Sequence, residues 1–242
     1  MRCPLSMATL ACFAALAFAA AAAAEPLRLL EFAIDDPAVR HVVDHHTISR
    51  AMPATRFPGR RDHEEYLLDR LPLSAALGRR LHPALEPYEI AEKGPGLFEV
   101  EEAGRLRGPT RLVAGAPGRR VYLVEGEFRS LGELLRFAGS MVIALRYHED
   151  AGPDGPMLVN EPHLYVRIDN LLLRGLAKLL SPVIHGIVER RVARLAAAAE
   201  AVSTRIARDP AGLYREMKAW PEITEAQRAD FRHHFGIAED QR

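Results

Sequence analysis

Residues 141–170 read MVIALRYHEDAGPDGPMLVNEPHLYVRIDN. In the run from Met141 to Glu149, the side chains of Met141, Ile143, Leu145 and Tyr147 fall on one face. In the run from Leu158 to Asp169, Leu164, Val166 and Ile168 share a face, opposite His163, Tyr165 and Arg167. Successive side chains of a strand point to opposite sides, so each run reads as a half-buried antiparallel strand. The stretch ends on Asn170, a good N-cap. A long helix is predicted to follow and to reach about Arg208. Leu172, Leu176, Leu180, Ile184, Ile187, Val192 and Leu195 form its apolar stripe at helical spacing. Arg174, Lys178, Ser181, His185 and Glu189 take the opposite face, and Pro182 introduces a kink.

Moving toward the N-terminus, four more strands are expected, separated by Gly and Pro. They span Glu86 to Glu92, Leu97 to Glu102, Thr110 to Ala114 and Arg120 to Phe128. Between the last of these and Met141, Ser130 precedes Glu133 at capping-box spacing. A short amphipathic helix carrying Leu131, Leu134, Leu135 and Phe137 is expected there, ended by Gly139. Residues 62–81 read as helical, with Tyr66, Leu67, Leu68 and Leu71 near one face, and Pro72 divides them into two short helices. His45 to Met52 is predicted to be a strand ending at Pro53. Upstream, Leu27 to Ile34 is a further strand candidate and Asp36-Pro37 marks a turn. Beyond the long helix, Asp209-Pro210 opens another helix. A last one starts at Thr224, paired with Gln227, and stops at Gly236.

The chain begins with an export signal. Arg2 supplies the positive start, Leu5 to Ala24 is apolar apart from Ser6 and Thr9, and Ala22 to Ala24 offers a small-residue cleavage site. The protein is therefore expected to be periplasmic or secreted. Both cysteines, Cys3 and Cys12, lie inside this segment. The mature chain then has no disulfide, thiol nucleophile or thiolate metal site, and an ordinary core must hold it together. Of 242 residues, 48% are hydrophobic, and 32 Lys+Arg balance 32 Asp+Glu. Such a neutral chain has no global field to hold nucleic acid. The expected organisation is a signal over 1–24, an N-terminal segment over 25–43, one domain over 44–208 and a helical extension over 209–242.

The order of strand, two short helices, six antiparallel strands and long helix resembles the START-like, or SRPBCC, superfamily over roughly residues 44–208. The stretch Ile48 to Ala54 followed by Tyr66 to Pro72 looks like that family's first strand and helix. The run Met141 to Tyr147, then Leu164 to Ile168, then the long helix looks like its last two strands and gripping helix. The resemblance implies an α+β helix-grip fold: a curved antiparallel sheet of six to seven strands wrapped around the long C-terminal helix, with extra C-terminal helices added.

It also implies an apolar small-molecule or lipid site between sheet and helix. The lining would come from Ile143, Leu145, Tyr147, Leu164, Val166 and Ile168 on the sheet. Leu172, Leu176, Leu180 and Ile184 would complete it from the helix. These side chains are equally suited to a filled core, each worth roughly 1.5–3 kcal/mol when buried. The segment carrying Leu131, Leu134, Leu135 and Phe137 is either a lid, able to touch a membrane transiently, or an edge cover.

Among polar residues, His41, Asp44, His45 and His46 have metal-binding chemistry. On a strand, however, His45 and His46 point apart, so a solvated edge is expected and no metal site. Arg146, His148, His163, Tyr165 and Arg167 are expected on a solvated outer face. Glu101-Glu102 reads as solvated, and Arg190, Arg191 and Arg194 as the wet side of the helix. No G-x-S-x-G elbow, phosphate loop or dinucleotide fingerprint occurs, and no cofactor is expected. The leading expectation is a non-enzymatic carrier of the cell envelope. The alternatives are a cyclase- or hydrolase-type enzyme using Tyr147 or Tyr122, and an envelope scaffold with a filled core.

Overall fold

The computed structural model describes residues 34–85, 88–103, 106–130, 135–169 and 181–238. Residues 1–24, most of the Leu27 to Ile34 stretch and the expected start of the long helix lie outside these residues. Asp36 starts the first helix, α1 (Pro37–Asp44). Its carboxylate accepts from the backbone N–H groups of Ala38 at 2.8 Å and Val39 at 3.2 Å. The Asp36-Pro37 pair is thus a cap with proline in the first turn, not a turn. His45 caps the other end of α1, so the expected strand begins only at Ile48. The chain continues through β1 (Ile48–Ala51), β2 (Thr55–Pro58), α2 (Arg61–Leu68), α3 (Leu71–Leu81) and a 3-10 turn (Pro83–Leu85). Next come β3 (Tyr88–Gly94), β4 (Leu97–Glu102), β5 (Leu106–Ala116), β6 (Arg119–Ser130), β7 (Leu135–Gly152) and β8 (Gly155–Ile168). Three helices follow: α4 (Ser181–Arg208), α5 (Pro210–Met217) and α6 (Glu225–His234).

All strands join one antiparallel sheet in the order β1-β8-β7-β6-β5-β4-β3, with β2 also on β8. β1 and β2 take successive stretches of β8: Ile48 opposes Val166 and Thr55 opposes Asn160. One expectation fails here. β7 starts at Leu135, with Arg136 opposite Arg129 and Phe137 opposite Phe128, so Leu135 and Phe137 lie on a strand and not on a helix. Leu131 and Leu134 lie outside the described residues. The sequence Leu135, Phe137, Gly139, Met141, Ile143, Leu145, Tyr147 alternates without a break. A helix at 135–138 would strip the end of β6 of its hydrogen-bond partner. Glycines of neighbouring strands meet nearby. A Cβ on Gly108 would stand 2.0 Å from the Glu125 carbonyl oxygen, and one on Gly126 would stand 2.4 Å from that of Arg107. Gly126 in turn opposes Gly139 of β7. Only glycine permits this approach.

The sheet is covered on both faces. On the inner side α4 packs with α3, β2 and the 3-10 turn. Ala198 meets Leu85 and Tyr88, while Ala199 joins Phe57, Tyr147 and Leu158. On the outer side, Val39 and Val42 of α1 pack against Val121, Leu123, Val142, Ala144 and Tyr165. The outer face is therefore not solvated as expected: His163 is 2% and Tyr165 6% exposed. Its alternation could not show this, because the cover comes from a distant helix. Arg111 of β5 holds α1 in place through Asp36 at 2.7 Å, and that guanidinium keeps the Asp36 carboxyl below its usual range. The C-terminal helices dock as well. Leu213, Met217, Ile223 and Phe231 share a core with Tyr66, Leu73, Leu77, Val202 and Ile206. The predicted caps hold, with Asp209 accepting from the N–H of Gly212 and Thr224 forming a capping box with Gln227.

Candidate ligand-binding site

The register brings the sheet residues of the expected lining together. Ile143 opposes Leu164, Met141 opposes Val166, Leu145 opposes Pro162, Tyr147 opposes Asn160 and Gly139 opposes Ile168. Cross-strand partners share a face, so Ile143, Leu145, Tyr147, Leu164, Val166 and Ile168 form one wall. Its two ends differ. Tyr147 closes on Phe57 and Leu158, and is 2% exposed. Ile143, Leu145 and Val166 are only half-buried, as are Val100, Leu112 and Met141 on the same side. Of the helix residues, Leu172, Leu176 and Leu180 lie outside the described residues and Ile184 falls on α4.

On α4, Arg191, Leu195, Ala198 and Val202 recur at helical spacing and so share a face. Ala198 is 1% and Val202 3% exposed, yet Leu195 is 44% exposed. The gripping face is filled in its C-terminal half and open one turn earlier. Leu195 is thus an unfilled apolar position in the stripe that Ala198 and Val202 continue.

Polar groups flank both ends. At the closed end Glu64 of α2 is 4% exposed. Its carboxyl accepts from Asn160 Nδ2 at 3.1 Å and faces Ser203 Oγ at 3.5 Å. Burial raises its pKa to about 7, against the opposing effect of those two hydrogen bonds. Nearby, Arg120 forks onto Asp69 at 2.7 and 2.9 Å, and the Tyr122 hydroxyl donates to the Leu68 carbonyl at 2.8 Å. The buried Tyr147 hydroxyl and Asn160 Oδ1 have no partner among the described residues. Burial pushes the Tyr122 and Tyr147 phenols up.

At the open end lies a group that the sequence reading put in solvent. Glu102 is 1% exposed, on the same face as Val100. Arg191 Nη2 stands 3.1 Å and Arg194 Nη2 4.0 Å from its carboxylate. Alternation from Phe98 through Val100 to Glu102 carried the signal: Glu102 falls on the apolar side of β4. Arg191 shares the α4 face of Leu195, so it belongs to the gripping side and not to the wet side. The His41, Asp44, His45, His46 group sits at the end of α1 and before β1. The His41 and His45 rings lie 4.7 Å apart and all four residues are exposed. No group of three potential metal ligands forms among the described residues. No described helix is long and apolar enough to cross a membrane.

No protein-family model matches the sequence, and no curated protein does. Solved structures do match. A START superfamily protein from Mycobacterium smegmatis is 9% identical with a TM-score of 0.37, over 61% of this chain and 98% of that one. Norcoclaurine synthase from Thalictrum flavum is 14% identical with a TM-score of 0.42, over 66% and 88%. A conserved protein from Geobacillus kaustophilus is 10% identical with a TM-score of 0.41, over 66% and 95%. With a single antiparallel sheet, two short helices after its first strands and a long helix against its inner face, the chain has an α+β helix-grip architecture.

Proposed function

We propose that this protein is a binding or carrier protein of the cell envelope, holding a hydrophobic small molecule or lipid between its sheet and α4. The observation that carries this reading is Leu195: it lies on the gripping face and is 44% exposed. The half-buried Val100, Met141, Ile143 and Val166 supply the facing apolar wall. The export signal read in the first 24 residues supports the envelope location. Native mass spectrometry of protein purified from its own envelope fraction tests the reading, with lipid extraction of the same sample. A stoichiometric apolar adduct is expected. A clean apo mass with no uptake from a lipid panel overturns it and leaves a scaffold.

A second reading, acid–base catalysis on the same fold, draws on Glu64, whose raised pKa suits proton transfer. Access argues against it. Glu64 is 4% exposed and its two oxygens face Asn160 and Ser203. A guest beside Leu195 lies on the other part of α4. Glu64 is better understood as a neutral acid that joins α2, β8 and α4.

A further inference from the structure

The open end of the site carries an imbalance of charge. Glu102 is 1% exposed. The Tyr88 phenol and two cations face its carboxylate, Arg191 at 3.1 Å and Arg194 at 4.0 Å. Two guanidinium groups thus surround one carboxylate. Arg194 is 36% exposed on its side chain, and its one hydrogen bond among the described residues is to the Arg190 carbonyl, at 3.3 Å. A half-buried cation costs free energy unless an anion answers it. Among the described residues the surplus is one positive charge, next to Leu195 in sequence and within one turn of it along α4.

We propose that Arg194, with the outer edge of Arg191, is the head-group subsite of the site proposed above, and that the ligand is an apolar chain ending in a carboxylate. The inference rests on the carrier reading above and names its ligand class. The apolar chain lies along Leu195 and the half-buried wall of Val100, Met141 and Ile143. The carboxylate meets the planar fork of a guanidinium, which binds such groups with two parallel hydrogen bonds. A single negative charge matches the surplus of one, while a dianionic phosphate exceeds it. Glu102 keeps Arg191 turned inward, so the subsite is formed before the ligand arrives.

The test compares saturated fatty acids with the primary alcohols of the same chain length, by equilibrium binding to the full-length mature protein. The variant is Arg194→Gln, which leaves the 3.1 Å Arg191–Glu102 pair in place. The wild type is expected to prefer the acid over the alcohol by roughly tenfold, the value of one charge-assisted hydrogen bond. Arg194→Gln is expected to lose that preference, with alcohol binding and thermal midpoint unchanged. Equal affinity for acid and alcohol, or a preference that survives Arg194→Gln, overturns the head-group subsite and leaves the carrier reading standing. Failure to bind either probe overturns the subsite and its ligand class, while the carrier reading stands or falls on the lipid panel. If Arg194→Gln lowers the thermal midpoint and weakens acid and alcohol alike, Arg194 is a structural pin and the subsite is refuted.

Discussion

Replacing Glu64 by glutamine removes one proton equilibrium from the core while keeping its shape. The amide oxygen accepts from Asn160 as the carboxyl does, and the amide nitrogen faces Ser203 Oγ, which has lone pairs to receive it. In the folded protein Glu64 holds its proton up to about pH 7, against 4.5 for an unburied glutamate. A raised folded pKa gives stability that is fully present below 4.5 and lost as pH rises to about 7. At about 1.4 kcal/mol per pH unit, the loss in the wild type amounts to roughly 3 kcal/mol. Glu64→Gln escapes this loss. Urea unfolding followed by circular dichroism should find the two proteins equally stable near about pH 4 and the variant more stable by roughly 3 kcal/mol near about pH 8. In a domain of this size that corresponds to a thermal midpoint higher by roughly 6–12 °C. Parallel stability profiles across this range would refute the claim that Glu64 is a neutral acid in the fold. A variant less stable near neutral pH would show that the ionised form is the one the core prefers.

Gly108→Ala drives a Cβ to 2.0 Å from the Glu125 carbonyl oxygen. It should cost roughly 3 kcal/mol in denaturant midpoint, since the obstacle is backbone and cannot rotate away. Full stability with a native fold would mean that the strands do not approach so closely. Leu195→Ala should change stability by less than about 0.5 kcal/mol, because the side chain is 44% exposed. It should nevertheless weaken uptake of an apolar probe, and a loss of several kcal/mol in stability would place Leu195 in a filled core. Asp230→Ala removes the carboxylate that accepts from Tyr66 Oη at 2.9 Å and Arg70 Nη2 at 3.0 Å. With Arg70 and Asp230 each 40% exposed, the expected cost is roughly 1 kcal/mol. Limited proteolysis should then cut first at the C-terminal helices, and unchanged cleavage would show that apolar packing alone holds them.

The sheet and its register were legible because Met141 to Tyr147 and Leu164 to Ile168 alternate cleanly, and cross-strand pairing then puts one apolar set on one wall. The two short helices were legible from Pro72 and the last two from their caps. Three features were not. The stretch 135–138 satisfies helical and strand periods alike, and the choice was made by β6, a partner that local sequence cannot display. The outer sheet face looked polar because His163, Tyr165 and Arg167 alternate with apolar residues, yet α1 packs on Tyr165 and Ser49 of β1 bonds His163, both from more than a hundred residues upstream. Asp36-Pro37 reads as a turn in the sequence and caps that helix in the structure. Of the candidate site, the sheet half was readable and the charged half was not. Glu102 looked like one of two solvated acids beside a turn, and only the position of Arg191 along α4 shows what it meets. Glu64 and Ser203 lie 139 residues apart, with no motif linking them.

A sheet with packed helices on both sides is stiff. α1 clamps the backs of β6, β7 and β8, and interiors packed to that density hardly compress. Any volume that a guest requires must therefore come from the softer partner, α4, whose grip tightens only from Ala198 onward. The helix then acts as a lever: anchored at its C-terminal half by Val202 and Ile206 in the α5–α6 core, and tied at the half where Leu195 stands by the Arg191–Glu102 pair at 3.1 Å. Guests of different girth would be accommodated by the angle of that lever. The sheet would keep its shape, and the docked C-terminal helices would serve as the lever's fixed mount.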